Sequence, residues 1–229
     1  TLIKIVVNDD GGDAVVADFP LFINGDPTTS GQSNTLSANV LYTATETTQP
    51  GYTASAWSGD CAANGTVTLN EGQNATCTIT NNDVAPTLKL VKNVLNNNGG
   101  NAVADDWTLS AAAASPYNES NFSNAGGSRG FANVFANNDY DLSETTLPGY
   151  TASAWSCDGG TLSGSTITLA EGENVTCTIT NDDIAPQLRI IKTVVNDDGG
   201  DAAVADFPLF IVRTSVSSGV FLQVTANEG

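Results

Sequence analysis

The sequence predicts an all-β protein of tandem β-sandwich domains, and three observations carry that prediction. The chain repeats itself. Short runs rich in Val, Ile, Thr, Phe and Tyr alternate with clusters of Gly, Pro, Asn and Asp, and no helical stripe of useful length interrupts them. Each full copy spans about 90–100 residues, the size of a sandwich with several strands.

The repeats set the boundaries. TLIKIVVNDDGG (1–12), KLVKNVLNNNGG (89–100) and RIIKTVVNDDGG (189–200) open three copies. ETTQPGYTASAW (46–57) returns as ETTLPGYTASAW (144–155), and EGQNATCTITNNDVAP (71–86) as EGENVTCTITNDDIAP (171–186). The expected organisation is a first repeat at 1–86, a second at 87–186 and the truncated start of a third at 187–229. The third follows the first in register, with Ser218-Gly219 matching Ser30-Gly31 and Ala226-Asn227 matching Ala38-Asn39. The extra length of the second repeat falls in AAAASPYNESNFSNAGGSRG (111–130), read as an enlarged surface loop. Turns are marked by Asp10-Gly11-Gly12, Asn24-Gly25, Pro50-Gly51 and Asn64-Gly65. The junctions Asp83–Pro86 and Asp183–Pro186 are too short to flex freely, so the copies are expected to form an elongated array.

Composition narrows the function. The 229 residues carry 25 acidic and 7 basic side chains, a formal charge of −18 and no histidine. A basic surface for nucleic acid or an anionic bilayer is excluded. The usual general base and the usual zinc ligand are missing with histidine. No apolar run approaches the ~20 residues that span a bilayer. A non-catalytic extracellular module fits better than a turnover enzyme. Cys61 with Cys77 and Cys157 with Cys177 lack the close spacing of a metal site and are read as two local disulfides formed in an oxidising compartment, against four reduced buried thiols.

Strand parity singles out three polar residues per copy. Leu2, Lys4 and Val6 share one face, as do Leu90, Lys92 and Val94, and Ile190, Lys192 and Val194. The opposite face admits Ile5, Asn93 and Thr193 at one position, as a solvated face does. Tyr42, Ala44 and Glu46 align likewise, matched by Tyr140, Leu142 and Glu144. In the last strand, Cys77, Ile79 and Asn81, and Cys177, Ile179 and Asn181, alternate with threonines. Each complete copy therefore aims one Lys, one Glu and one Asn inward, where unpaired charges would cost several kcal/mol. Two chemistries satisfy such a triad. One is a buried Lys–Glu ion pair with Asn as hydrogen-bond partner. The other is a self-crosslink, in which a desolvated neutral lysine attacks the Asn carboxamide while the glutamic acid polarises it and shuttles the proton.

Lys in the first strand, Y-x-x-x-E-T-x-x-P-G-Y in a middle strand and T-x-T-N at the end resemble collagen-adhesin B-type, or SpaA-type, domains. These are prealbumin-like, Ig-like β-sandwiches of Gram-positive pili and adhesins. The resemblance implies isopeptide bonds Lys4–Asn81 and Lys92–Asn181, promoted by the acids Glu46 and Glu144. It leaves Lys192 with no partner in its own repeat. The cysteine pairs depart from many crosslinked members of the family, and Asn82 beside Asn81 is a second conceivable acceptor, disfavoured by parity.

Weaker signals are weighed against blander ones. Asp9, Asp10, Asp83, Asp182 and Asp183 could converge at domain junctions as calcium ligands. The second copy, however, reads NNNGGN at 96–101, and tight turns select the same residue types. Trp57 and Trp155 could face a glycan, but aromatics repeated in each copy are more often core. Gly126–Gly130 matches G-x-S-x-G, which without histidine is a glycine-rich loop. N-x-S/T sequons at Asn64, Asn74, Asn118, Asn121 and Asn174 are expected in so Asn- and Thr-rich a chain. The expected role is a bacterial cell-surface stalk, fibre or pilus-like segment whose partners are neighbouring copies, with no required cofactor. The alternative is an adhesive module for a glycan or host protein, with calcium at its junctions.

Overall fold

The structure is a computed structural model describing residues 1–126, 130–211, 214–216 and 221–223. The chain folds as short β-strands with four 3-10 turns among the described residues. The strands up to Asp83 are β1 (Leu2–Val7), β2 (Leu21–Ile23), β3 (Asp26–Thr28), β4 (Leu41–Glu46), β5 (Tyr52–Ala54), β6 (Ser58–Gly59), β7 (Thr66–Thr68) and β8 (Cys77–Asp83). One sheet has the order β1-β8-β5, with β6 also on β8, and the other the order β3-β2-β4-β7. The Asn24-Gly25 signal is the tight turn between β2 and β3. Both residues have positive φ, 49° and 90°, as a two-residue hairpin of the favoured twist requires.

The next strands are β9 (Thr87–Leu95), β10 (Thr108–Ala112), β11 (Phe122–Ala125), β12 (Ala132–Asn133), β13 (Asp139–Glu144), β14 (Tyr150–Ala152), β15 (Ser156–Cys157), β16 (Thr161–Ser163), β17 (Thr166–Thr168) and β18 (Asn174–Asp183). They repeat the plan as β12-β9-β18-β14, with β15 on β18, and β11-β10-β13-β17-β16. In both copies the first and last strands are parallel neighbours. Leu2, Leu21, Ala44, Trp57, Cys77 and Ile79 fill the first core, so Trp57 is a core residue. Trp155 is likewise buried in the second.

Residues 111–130 correct an expectation. They are not a surface loop throughout, because β11 pairs with β10 and Phe122, Ala111 and Ala113 are buried in the second core. The insert adds an edge strand and apolar side chains to its own sandwich. Gly126 closes it by accepting the Lys92 amide at 3.1 Å, while Gly127, Ser128 and Arg129 of the glycine-rich pattern lie outside the described residues.

The first two copies touch at their junction. The Ala136 amide donates to the Asp10 carbonyl at 2.8 Å and the Gly172 amide to the Val84 carbonyl at 2.7 Å. A Cβ on Gly11 would fall 2.4 Å from the Ala136 oxygen, so glycine permits that approach. After Pro186, β19 (Gln187–Arg189), β20 (Leu209–Ile211), β21 (Thr214–Val216) and β22 (Phe221–Gln223) pair as β19-β22 and β20-β21. The 3-10 turn of Val204–Asp206 repeats those of Val16–Asp18 and Ala104–Asp106, each closed by its aspartate on the backbone amide of Val15, Val103 or Ala203. The matches expected at Ser218-Gly219 and Ala226-Asn227 lie outside the described residues.

Candidate crosslinking site

Alternation along β1 turns Leu2 and Lys4 inward and Ile5 outward, and along β8 it buries Cys77, Ile79, Asn81 and Asp83. Lys4 and Asn81 are 3% and 1% exposed, and Lys92 and Asn181 are 4% and 3%. Such burial of polar groups demands an account. In the parallel ladder Lys4 lies opposite Ile79 and Val6 opposite Asn81, so lysine and asparagine are diagonal neighbours on one face. Lys92 opposite Ile179 and Val94 opposite Asn181 repeat that register. The glutamates come from the other sheet: β4 pairs with β2 through Leu21 and Glu46, and β13 with β10 through Leu109 and Glu144.

Across the interior, Lys4 Nζ donates to Glu46 Oε2 at 2.6 Å and Lys92 Nζ to Glu144 Oε2 at 2.5 Å. Each amine also lies over an aromatic ring, Phe19 at 4.3 Å and Trp107 at 4.7 Å. Burial pushes both lysine amines below their ordinary range, opposed by the hydrogen bond and charge of the paired glutamate. The Oδ1 atoms of Asn81 and Asn181 are buried without a hydrogen-bond partner, as is Glu46 Oε1. Lys192 stands over Phe207 at 4.3 Å, the arrangement of the other two lysines. Phe19, Trp107 and Phe207 are missed by strand parity because they follow a 3-10 turn. Their signal is the aromatic after V-A-D or A-D-D in every copy.

Disulfides join Cys61 to Cys77 and Cys157 to Cys177. The last strand of each copy thus carries, on one inward face, a disulfide cysteine, an asparagine and an aspartate.

Two of the aspartates expected as calcium ligands, Asp83 and Asp183, accept backbone amides. Asp83 Oδ2 accepts the amides of Asp10 at 2.9 Å and Gly12 at 2.7 Å, and Oδ1 accepts that of Asp9 at 3.1 Å. Asp183 accepts the amides of Asn98 at 3.0 Å and Gly100 at 2.6 Å. Burial raises the Asp183 carboxyl, but the amides of Gly100, Asn98 and Asn97 and the Asn98 side chain outweigh it and hold it below the usual range. Tyr52 completes the first clasp by donating to Asn8 Oδ1 at 2.7 Å and accepting the Ala14 amide at 3.0 Å; Tyr150 does the same with Asn96 and Ala102. Oxygens of Asp9, Asp10 and Asp83 lie within 4.8 Å of one another, the one such group of three acids among the described residues, and it includes neither Asp182 nor Asp183. Burial and the charges of Asp83 and Asp9 raise the Asp10 carboxyl. The second copy closes the same clasp with asparagines where the first has acids, so amide capture accounts for the buried aspartate without a cation.

No curated protein matches the chain. Among solved structures it is similar to the major pilin protein T-13 of Streptococcus pyogenes, at 13% identity and TM-score 0.33, over 80% of this chain and 96% of that one. A C-terminal fragment of the pilus adhesin SpaC of Lactobacillus rhamnosus GG is similar at 14% identity and TM-score 0.38, over 81% and 97%. The Bacillus anthracis TIE protein is similar at 15% identity and TM-score 0.45, over 87% of this chain and 36% of that one. The family model of the SpaA-type prealbumin-like fold domain matches residues 1–79 and 83–179. With more than half of the 229 residues matched, the chain belongs to the family of SpaA-type prealbumin-like fold domains.

Proposed function

We propose that this chain is a structural segment of a bacterial surface stalk or pilus-like fibre, braced by internal Lys–Asn isopeptide bonds. The observation that carries this reading is the buried Lys–Glu pair next to an asparagine with an unsatisfied oxygen, repeated in two copies. Family membership and disulfides suited to an oxidising compartment add to it. No helix among the described residues is long and apolar enough to cross a membrane.

The chemistry is a single turnover. A proton passes from Lys4 to Glu46 along their hydrogen bond, leaving a neutral amine. The acid form of Glu46 polarises the Asn81 carboxamide, and Nζ attacks Cγ and passes a second proton to Glu46 in turn. The Cγ–Nδ2 bond breaks, and Nδ2, having received both lysine protons by way of Glu46, leaves as ammonium while Glu46 returns to its carboxylate. Lys92, Glu144 and Asn181 do the same in the second copy. Load applied to a copy enters at β1 and leaves at β8. These are parallel neighbours, so a bond between them transmits the load and spares the strands between.

Digestion of the chain under reducing conditions tests this. Branched peptides joining Lys4 to Asn81 and Lys92 to Asn181 are expected, and Glu46→Gln should remove the first while sparing the second. Linear peptides alone would leave the ion-pair reading. Calcium is not required by this account, and a chelator should leave the melting temperature unchanged.

A further inference from the structure

We infer that Asp83 and Asp183 are positioning residues for the crosslink, pinning the register that brings each lysine to its asparagine. This rests on the crosslinking reading and deepens it. Side chains in a strand repeat with period two, so burial of one face forbids a one-residue slip between β1 and β8. It does not forbid a slip of two, which returns every inward residue to an inward place. Such a slip moves Asn81 about 6.6 Å along Lys4's strand. Attack needs the reacting atoms about 3–3.5 Å apart, so the slipped sandwich is buried but unreactive.

The aspartate distinguishes these registers. It stands two residues after the asparagine on the same buried face, and its carboxylate reaches past the end of β1 to the amides of Asp9, Asp10 and Gly12. A two-residue slip withdraws those donors and strands a carboxylate that is 3% exposed, or 6% for Asp183. The loop is shaped to receive it. A Cβ on Gly12 would lie 2.8 Å from Asp83 Cβ and 2.3 Å from the Tyr52 hydroxyl, and Gly100 is crowded in the same way by Asp183 and Tyr150. The loop also holds its own form: Asn8 Nδ2 donates to the Ala14 carbonyl at 3.0 Å, Asn96 to Ala102 at 3.0 Å and Asn196 to Ala202 at 2.9 Å. It is a preformed socket, and the aspartate is the key that fits in one register.

The test follows ammonia loss in the full chain by mass spectrometry, assigning each bond by peptide mapping, with amide exchange at Asp9, Asp10 and Gly12 as a second readout. Asp83→Ala should slow bond formation in the first copy about tenfold or more, leave the second copy at its parental rate and deprotect the three amides. Asp83→Asn, which keeps the shape and one acceptor oxygen, should restore part of the rate; it also decides the matter if the alanine variant does not fold. Parental first-copy rates in a folded variant with deprotected amides would overturn the inference while leaving the crosslink standing. A parent chain that never loses ammonia would remove the crosslink reading instead, and would take the positioning role with it.

Discussion

The first and second copies share their polar devices but not their cores. Both bury a lysine against a glutamate from the opposite sheet, both leave the asparagine oxygen unpaired, and both close a clasp and a disulfide on the last strand. The apolar interiors differ. Seven buried residues form the first core and sixteen the second. Phe19 becomes Trp107, Ala44 becomes Leu142, and Tyr42, half-buried, becomes Tyr140 at 0% exposure. The insert contributes Phe122, and β9 begins three residues earlier relative to its lysine, adding Leu88. The first copy instead has a half-open groove of about 150 Å³ lined by Leu2, Ile23, Leu36, Tyr42 and Val67. The positions that hold strands together are fixed in kind, while the filling between them varies, so the sparser copy should depend more on its braces.

The largest effect should follow loss of the crosslink. Glu46→Gln or Asn81→Ala should cost the first copy about 4–5 kcal/mol, as expected for opening a long closed loop. The matched changes Glu144→Gln and Asn181→Ala should lower the second copy's stability by a similar amount but leave it folded at higher denaturant. Unfolding followed separately through Trp57 and Trp155 would sharpen the comparison, and equal midpoints for the two variants would break it. Reducing the disulfides should come next, at about 3 kcal/mol each, again exposing the first copy sooner. A smaller effect is expected for Tyr140→Phe. Its hydroxyl accepts the Phe135 amide at 2.8 Å and shares a hydrogen bond with Ser120, so about 1–2 kcal/mol should be lost from the second copy alone.

The smallest effect concerns acid. The folded Asp183 carboxyl is held below its ordinary range, so its contribution is present above the unfolded value and is lost as pH falls through the lower folded one. The Gly100 amide signal should therefore stay in place as pH drops through the ordinary carboxyl range, near 4, and move only below it. A shift centred in the ordinary range would deny the clasp its strength.

The sequence makes the sandwich and the inward triad legible because both are written as side-chain alternation, which recurs in the two complete copies. Lys4 and Asn81 betray themselves by occupying apolar parity, and the cysteine pairs by local spacing. The clasp is not legible in that way. Asp83 is satisfied by backbone amides more than seventy residues earlier, and amides leave no pattern in a sequence. What shows is only a paired glycine after N-x-x, together with an aspartate that resembles a metal ligand. The insert at 111–130 reads as loop because its Ala, Ser and Asn run lacks alternation, yet pairing with β10 makes Phe122–Ala125 a strand. There tertiary context outweighs local preference.

Intact mass of the reduced, denatured chain tests the central claim most directly. The account predicts a mass below that of the sequence by two ammonia molecules, one for each complete copy. A chain at full sequence mass would contradict it and leave two buried ion pairs in place of two covalent bonds.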